Sequence, residues 1–172
     1  MEILIKKDDI QSRVHRIAKD IVLEHKDSGN ILPPVVVCVL NGGFMFFNDL
    51  IRELRVLGLD VETEFIRIKS YNGKDNSNGP VIIKDFEVDL KGKRVYLVDD
   101  MCETGTTLLE AVQMASSRVP NSIQIVTMIE RVNGKHMSDH VGFTIETENW
   151  LTGYGMDENG LLRTLEDIYI NL

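Results

Sequence analysis

The run Val35-Val36-Val37-Cys38-Val39-Leu40 contains no polar side chain. A strand with one face in water alternates apolar and polar residues, so an unbroken, mostly β-branched run describes a strand buried on both faces. Such strands belong to parallel sheets covered by helices. Pro33-Pro34 leads into this run and Asn41-Gly42-Gly43 breaks it. Val95-Tyr96-Leu97-Val98 and Ile123 to Ile129 repeat the pattern later in the chain.

Helical periodicity fills the intervals. From Asp8, the residues Ile10, Val14, Ile17, Ala18, Ile21 and Val22 recur at three- and four-residue steps, predicting an amphipathic helix that ends near Ser28-Gly29-Asn30. Phe44 to Leu57 and Thr106 to Arg118 read as further helices. Val61 to Ile68 alternates and is expected to be a strand, as are Val81 to Phe86 with Val88, Val141 to Ile145, the stretch around Trp150, and Ile168 to Ile170. Ser70 to Pro80, rich in Gly, Asn, Asp and Ser, has almost nothing to bury and reads as a loop able to close over a ligand. This alternation implies an α/β fold with a doubly wound, mainly parallel sheet and helices on both faces. Ligands of such sheets bind beyond the carboxyl ends of the strands, which directs attention to the residues after Leu40, Val98 and Ile129.

At 172 residues, 43% of them hydrophobic, the chain suits one domain with a substantial core. Its 27 acidic residues outnumber 19 basic ones, for a net charge of -8. That balance disfavours a general nucleic-acid or anionic-membrane binder. No apolar run approaches a membrane span, and the mixed charges of Met1 to Asp9 do not resemble a secretory signal. Cys38 and Cys102 form neither a disulfide framework nor a zinc spacing, so a reduced, cytoplasmic protein is expected. His136 and His140 stand four apart without the companions a zinc site needs.

The chemistry concentrates in Asp99-Asp100-Met101-Cys102-Glu103-Thr104-Gly105-Thr106-Thr107, between a buried strand and a helix. Three acids at the end of an apolar strand are costly unless a cation or a hydroxyl-rich ligand meets them. Gly105 allows close backbone approach, the threonines add hydroxyls, and the helix start directs free N–H groups to the same place. The combination suits a sugar phosphate, with amides and threonines for the phosphate and carboxylates for ribose hydroxyls. No Gly-x-x-x-x-Gly-Lys or Gly-x-Gly-x-x-Gly pattern competes. An N-capped helix would explain one of the acids but not three.

Val95 to Leu108 resembles the signature of the type I phosphoribosyltransferases: a strand, two acids, a short turn and Thr-Gly-x-Thr. Resemblance to their hypoxanthine-guanine branch extends to Leu40-Asn41-Gly42-Gly43-Phe44, Ile68-Lys69-Ser70-Tyr71, and Trp150 to Asp157 followed by Arg163. It implies the type I fold over 1–172, with a small hood built from the N-terminal segment and roughly 141–172. It implies transfer of a 5-phosphoribosyl group from phosphoribosyl pyrophosphate to hypoxanthine or guanine, with magnesium as cofactor.

By the same resemblance, Asp99 and Asp100 hold the ribose hydroxyls, and Thr104, Gly105, Thr106 and Thr107 hold the 5'-phosphate. Asn41, Gly42, Gly43 and Arg163 meet pyrophosphate; relatives carry a non-proline cis peptide at that loop. Asp157, with Asp99, matches the metal ligands. Arg131, Trp150 and Leu151 match the purine contacts, and Ser70 with Tyr71 the root of the closing loop. Two positions depart from the branch. Glu103 stands where Asp usually accepts the purine proton, and Arg131 where a lysine donates to the purine 6-oxo group. Both lie on the substrate side, so a phosphoribosyltransferase for another base, such as xanthine, is the first competing reading. A nucleotide-sensing regulator that keeps the fold and binds RNA is the second, opposed by the acidic balance. Relatives imply a homodimer or homotetramer.

Overall fold

The computed structural model describes residues 1–69 and 81–171, which places Ser70, Tyr71 and the predicted closing loop outside the described residues. The six periodic residues of the first helix, α1 (Lys7–Asp27), are all buried, with Asp8 and Asp9 in its first turn and His25 and Lys26 in its last. That charge placement favours the helix dipole at both ends. The next elements are β2 (Val35–Leu40), α2 (Phe44–Val56), β3 (Glu62–Lys69), β4 (Val81–Lys84), β5 (Arg94–Cys102), α3 (Thr106–Ser116), β6 (Ser122–Arg131) and β7 (His140–Ile145). A short first strand, β1 (Glu2–Ile5), precedes them, and β8 (Leu151–Thr152) and β9 (Ile168–Ile170) follow.

The six-stranded sheet runs β4-β3-β2-β5-β6-β7. All neighbours are parallel except β3 and β4. From β2 the chain winds outward through α2 to β3, and from β5 it winds the other way through α3 to β6. The switch point therefore falls between the carboxyl ends of β2 and β5. Alternate residues of these central strands feed two cores. Val36, Cys38, Tyr96 and Val98 pack with α1 and α2 on one face, while Val35, Val37, Val95 and Leu97 pack with α3 on the other. This two-sided burial is why β2 is apolar throughout. Burial, with Asp99 and Asp100 nearby, pushes the Cys38 thiol up to about 12.

Several boundaries differ from the sequence reading. β5 continues through the acids to Cys102 because β6 runs alongside it, pairing Asp99 with Thr127, Met101 with Ile129 and Cys102 with Glu130. Segment 140–145 is the parallel edge strand of the main sheet and not part of a hood. The small antiparallel sheet, β1-β9-β8, takes Glu2–Ile5 from one end of the chain and Leu151–Ile170 from the other. α3 stops two residues early, leaving Arg118 to pair with Asp85 at 2.9 Å.

β4 ends at Lys84 because the buried Glu64 captures the chain beyond it. Its carboxylate accepts the N–H groups of Phe65, Glu87 and Val88 at 2.7, 2.6 and 2.9 Å, and Lys84 Nζ at 3.1 Å. Burial alone would raise this carboxyl; the three amides and the ammonium together hold it below the usual range. Glu64→Gln is expected to lower stability by about 1–3 kcal/mol, read from the urea midpoint at neutral pH. A carboxyl held low stabilises the fold above its unfolded pKa and loses that contribution as pH falls through its folded value, so the gap between variant and parent should close on acidification. A variant as stable as the parent at pH 7 would mean the amides find other partners.

Candidate active site

The turn from β2 into α2 lies directly against the end of β5. A Cβ on Gly42 would overlap the Asp100 carboxylate, and one on Gly43 would stand 2.7 Å from Val98 O and 3.0 Å from Asp99 Cα. The Leu40–Asn41 peptide is cis. The pattern that alone would have read as an ordinary strand-to-helix turn is thus a backbone surface pressed onto the acid pair, and only glycine permits that approach.

Asp99 is buried and Asp100 half-buried. Asp99 Oδ1 accepts the N–H of Asp100 at 2.9 Å, and Asp100 Oδ1 that of Met101 at 2.8 Å. Burial raises the pKa of Asp99 well above the usual carboxylate range, and the neighbouring Asp100 raises it further. Burial also raises Asp100, an effect tempered by its hydrogen bonds and by the positive charge of Arg163. Two carboxylates facing one low-dielectric site are poised for a partner that brings hydroxyl donors or positive charge.

Beyond the pair, Gly105 sits at φ +73° as the residue preceding α3, and the first N–H of that helix, on Thr106, reaches Thr104 Oγ1 at 3.5 Å. The next N–H groups of the first turn have no carbonyl partner within the helix. Thr104 Oγ1 and Thr106 Oγ1 lie 3.2 Å apart beside them. Amides, two hydroxyls and a left-handed glycine form an anion cradle a few residues from the acids.

The carboxyl-terminal segment closes the site from above. Gly155, at φ +104°, approaches so near that a Cβ would fall on Gly42 O. Arg163 Nη1 donates to Gly155 O at 2.7 Å, and Arg163 Nη2 pairs with Asp157 Oδ1 at 2.5 Å. Trp150 Nε1 donates to Asp157 O at 2.8 Å, leaving the residue 58% exposed and open to a flat ligand, while the neighbouring Leu151 is buried. Tyr154 anchors this segment to α2 through a 2.8 Å hydrogen bond to Asp49 Oδ2; burial, with Asp49 adding, raises its phenol far above the ordinary value.

The two departing residues meet one another. Arg131 Nε stands 3.2 Å from Glu103 Oε1, without hydrogen-bond alignment. Both line a cavity of about 440 Å³, with Thr104, Lys135, Glu146 and Glu148 among the other walls. Glu103 is the exposed member and Arg131 the buried one. So the structure gathers Asp99, Asp100, the Thr104–Thr107 turn, Asn41–Gly43, Asp157 and Arg163 around the switch point, and Glu103 and Arg131 at its flank. Lys135 did not stand out in the sequence, and Gly155 stood there only as part of the run from Trp150 to Asp157. The Gly-Tyr-Gly of 153–155 carried a signal for Gly155. Lys135 carried none, because its place depends on Glu130 accepting the N–H groups of Met137 and Ser138 to fold 131–139.

Among the described residues no group of three or more His, Cys, Asp or Glu side chains could cage a metal. Asp157 offers hard oxygens, though Arg163 holds Oδ1 and the Gly160 N–H reaches Oδ2 at 2.6 Å. Such a donor set fits a cation carried largely by substrate oxygens and water, the habit of magnesium.

A doubly wound sheet with an acid pair and an amide cradle at its switch point suits a ligand that carries both a phosphate and hydroxyl groups. The chain belongs to the phosphoribosyl transferase domain family, which its residues 6–159 match. It is 30% identical over 172 residues to the hypoxanthine-guanine-xanthine phosphoribosyltransferase of Tritrichomonas foetus, covering 98% of this chain and 90% of that one. It is 32% identical over 161 residues to the hypoxanthine phosphoribosyltransferase of Escherichia coli strain K12, covering 91% and 87%. The fold matches the hypoxanthine phosphoribosyltransferase of Trypanosoma cruzi, solved in complex with the product IMP, with a TM-score of 0.89 and 30% identity over 99% of this chain and 93% of that one. The type I phosphoribosyltransferase fold expected from the sequence is the fold observed.

Proposed function

We propose that this protein is a purine salvage enzyme. It transfers the 5-phosphoribosyl group of phosphoribosyl pyrophosphate to a ring nitrogen of hypoxanthine or guanine, yielding IMP or GMP and pyrophosphate. The observation that carries this reading is the juxtaposition of the Asp99–Asp100 pair, the Thr104–Thr107 cradle and the Asn41–Gly43 loop at one sheet edge, beneath Gly155 and Arg163.

The donor's 5'-phosphate sits on the α3 amides and the threonines, and its ribose diol hydrogen-bonds the two aspartates. Pyrophosphate lies along the Asn41–Gly43 backbone with Arg163 opposite. As the bond from the anomeric carbon to the pyrophosphate oxygen breaks, the electron pair leaves with pyrophosphate. The amide dipoles and the guanidinium stabilise the charge that develops there. The purine stacks on Trp150, its edge meets the backbone of Leu151, and its nitrogen bonds to the anomeric carbon while Glu103 accepts the ring proton. Asp157 and Asp99 would hold magnesium, which would supply charge neutralisation for the diphosphate. Arg131 lies on the base side. Ser70 and Tyr71 would root a loop that excludes water from the reacting carbon.

We place the activity in the cytoplasm and the active form in a homo-oligomer. No described helix is long and apolar enough to cross a membrane. Val81, Ile82 and Ile83 of the edge strand β4 are exposed, as is Phe65 of β3, a surface suited to a second copy. The testing experiment is a panel of purines and pyrimidines with phosphoribosyl pyrophosphate and magnesium, following nucleotide formation. IMP and GMP should form. Formation of XMP alone, or of a pyrimidine nucleotide alone, would overturn the reading.

A further inference from the structure

The guanidinium of Arg131 is committed to main-chain carbonyls. Nη1 donates to Thr147 O, and Nη2 donates to Asn149 O at 3.0 Å. Arg131 itself is rooted at the end of β6, where it pairs with Ile145 across the sheet and is 7% exposed. The carbonyls it holds belong to 146–150, a connector between β7 and β8 with no strand partner. That connector ends in Trp150, whose own carbonyl accepts the N–H of Asn171 at 2.9 Å and whose indole is tied to Asp157 O.

We infer that Arg131 is a positioning residue for the base: it fixes the approach of 147–149 so that Trp150 presents its ring at the site, and it acts through Trp150 instead of donating to the purine. A planar fork can serve two carbonyls two residues apart at once, which the single ammonium of a lysine cannot do with the same rigidity. The departure at position 131 is then a change of task. The contact between Arg131 Nε and Glu103 sets the same rigid strand end beside the proposed proton acceptor.

This inference rests on the proposed purine site for its kinetic test but not for its spectroscopic one. Trp150 is the single tryptophan of the chain, so intrinsic fluorescence reports its surroundings alone. In ligand-free Arg131→Met, emission should shift to the red and acrylamide quenching should increase. In turnover, the KM for the purine should rise by about tenfold or more while the KM for phosphoribosyl pyrophosphate holds, the result of a displaced binding platform. Arg131→Lys should fall between parent and Arg131→Met in both readouts, and it serves alone if Arg131→Met does not fold. Unchanged emission and quenching overturn the inference, whether the purine KM rises, as for a direct contact with the base, or stays, as for an idle charge. Should the purine panel fail, the fluorescence result still decides whether Arg131 orients Trp150.

Discussion

Glu103→Gln should lower kcat by about 10²–10⁴-fold, the range typical of removing a positioned general base. The substitution keeps the side chain's length and its capacity to meet Arg131, but removes its ability to take a proton. The donor KM should hold, since the phosphate cradle is built from the amides and hydroxyls of 104–107. Glu103→Asp provides the complement: it preserves the carboxylate and withdraws it by about one methylene, so it separates reach from basicity. Unchanged turnover of Glu103→Gln across pH would remove Glu103 from the mechanism.

Asp99→Asn should separate stability from binding. The ribose diol loses a charged acceptor, and affinity for phosphoribosyl pyrophosphate should fall by about 10–100-fold, as expected for one charge-assisted hydrogen bond. The ligand-free protein should nevertheless become more stable by about 1–3 kcal/mol, because a buried like-charged pair is replaced by one charge and one amide. The amide oxygen can still accept the Asp100 N–H that Asp99 Oδ1 accepts at 2.9 Å. A carboxyl whose folded pKa is raised favours the fold below its unfolded pKa and loses that contribution as pH rises through its folded value. The stability advantage of Asp99→Asn should therefore grow as pH rises above the ordinary carboxylate range and vanish in acid, where parent and variant are both uncharged at this position. Thermal unfolding with and without the donor reads both effects. A variant less stable than its parent at pH 7, with donor affinity intact, would show that the pair does neither task.

Much of this was legible in the residues themselves. Unbroken apolar runs announce two-sided burial, so β2 and the core of β5 could be placed without coordinates, and with them the sheet edge where ligands gather. The Asp99–Thr107 turn was readable because its acids have no cheap structural explanation. What stayed hidden depends on contacts between residues distant in the chain. β1 could not be recognised in Glu2–Ile5 because its partner lies at Ile168–Ile170. The edge strand β7 was misplaced into the hood because a six-residue run does not declare which sheet it joins. Glu64 looked like the polar half of an alternating strand, and only the fold reveals it as the acceptor for three amides. The Glu103–Arg131 contact was equally unreadable, although both residues stood out singly as departures.

The meeting of Gly155 with Gly42 has a further consequence. At Gly42 and Gly155 the proposed pyrophosphate loop and the tail meet main chain to main chain, so no side chain at that contact can be enlarged, trimmed or recharged to absorb a shift between them. Any adjustment of one is handed on whole to the other. Changes elsewhere that tilt β8 or β9 by a fraction of an ångström should thus be felt as altered leaving-group affinity, and attempts to retune this enzyme through its tail must treat the two loops as one mechanical part.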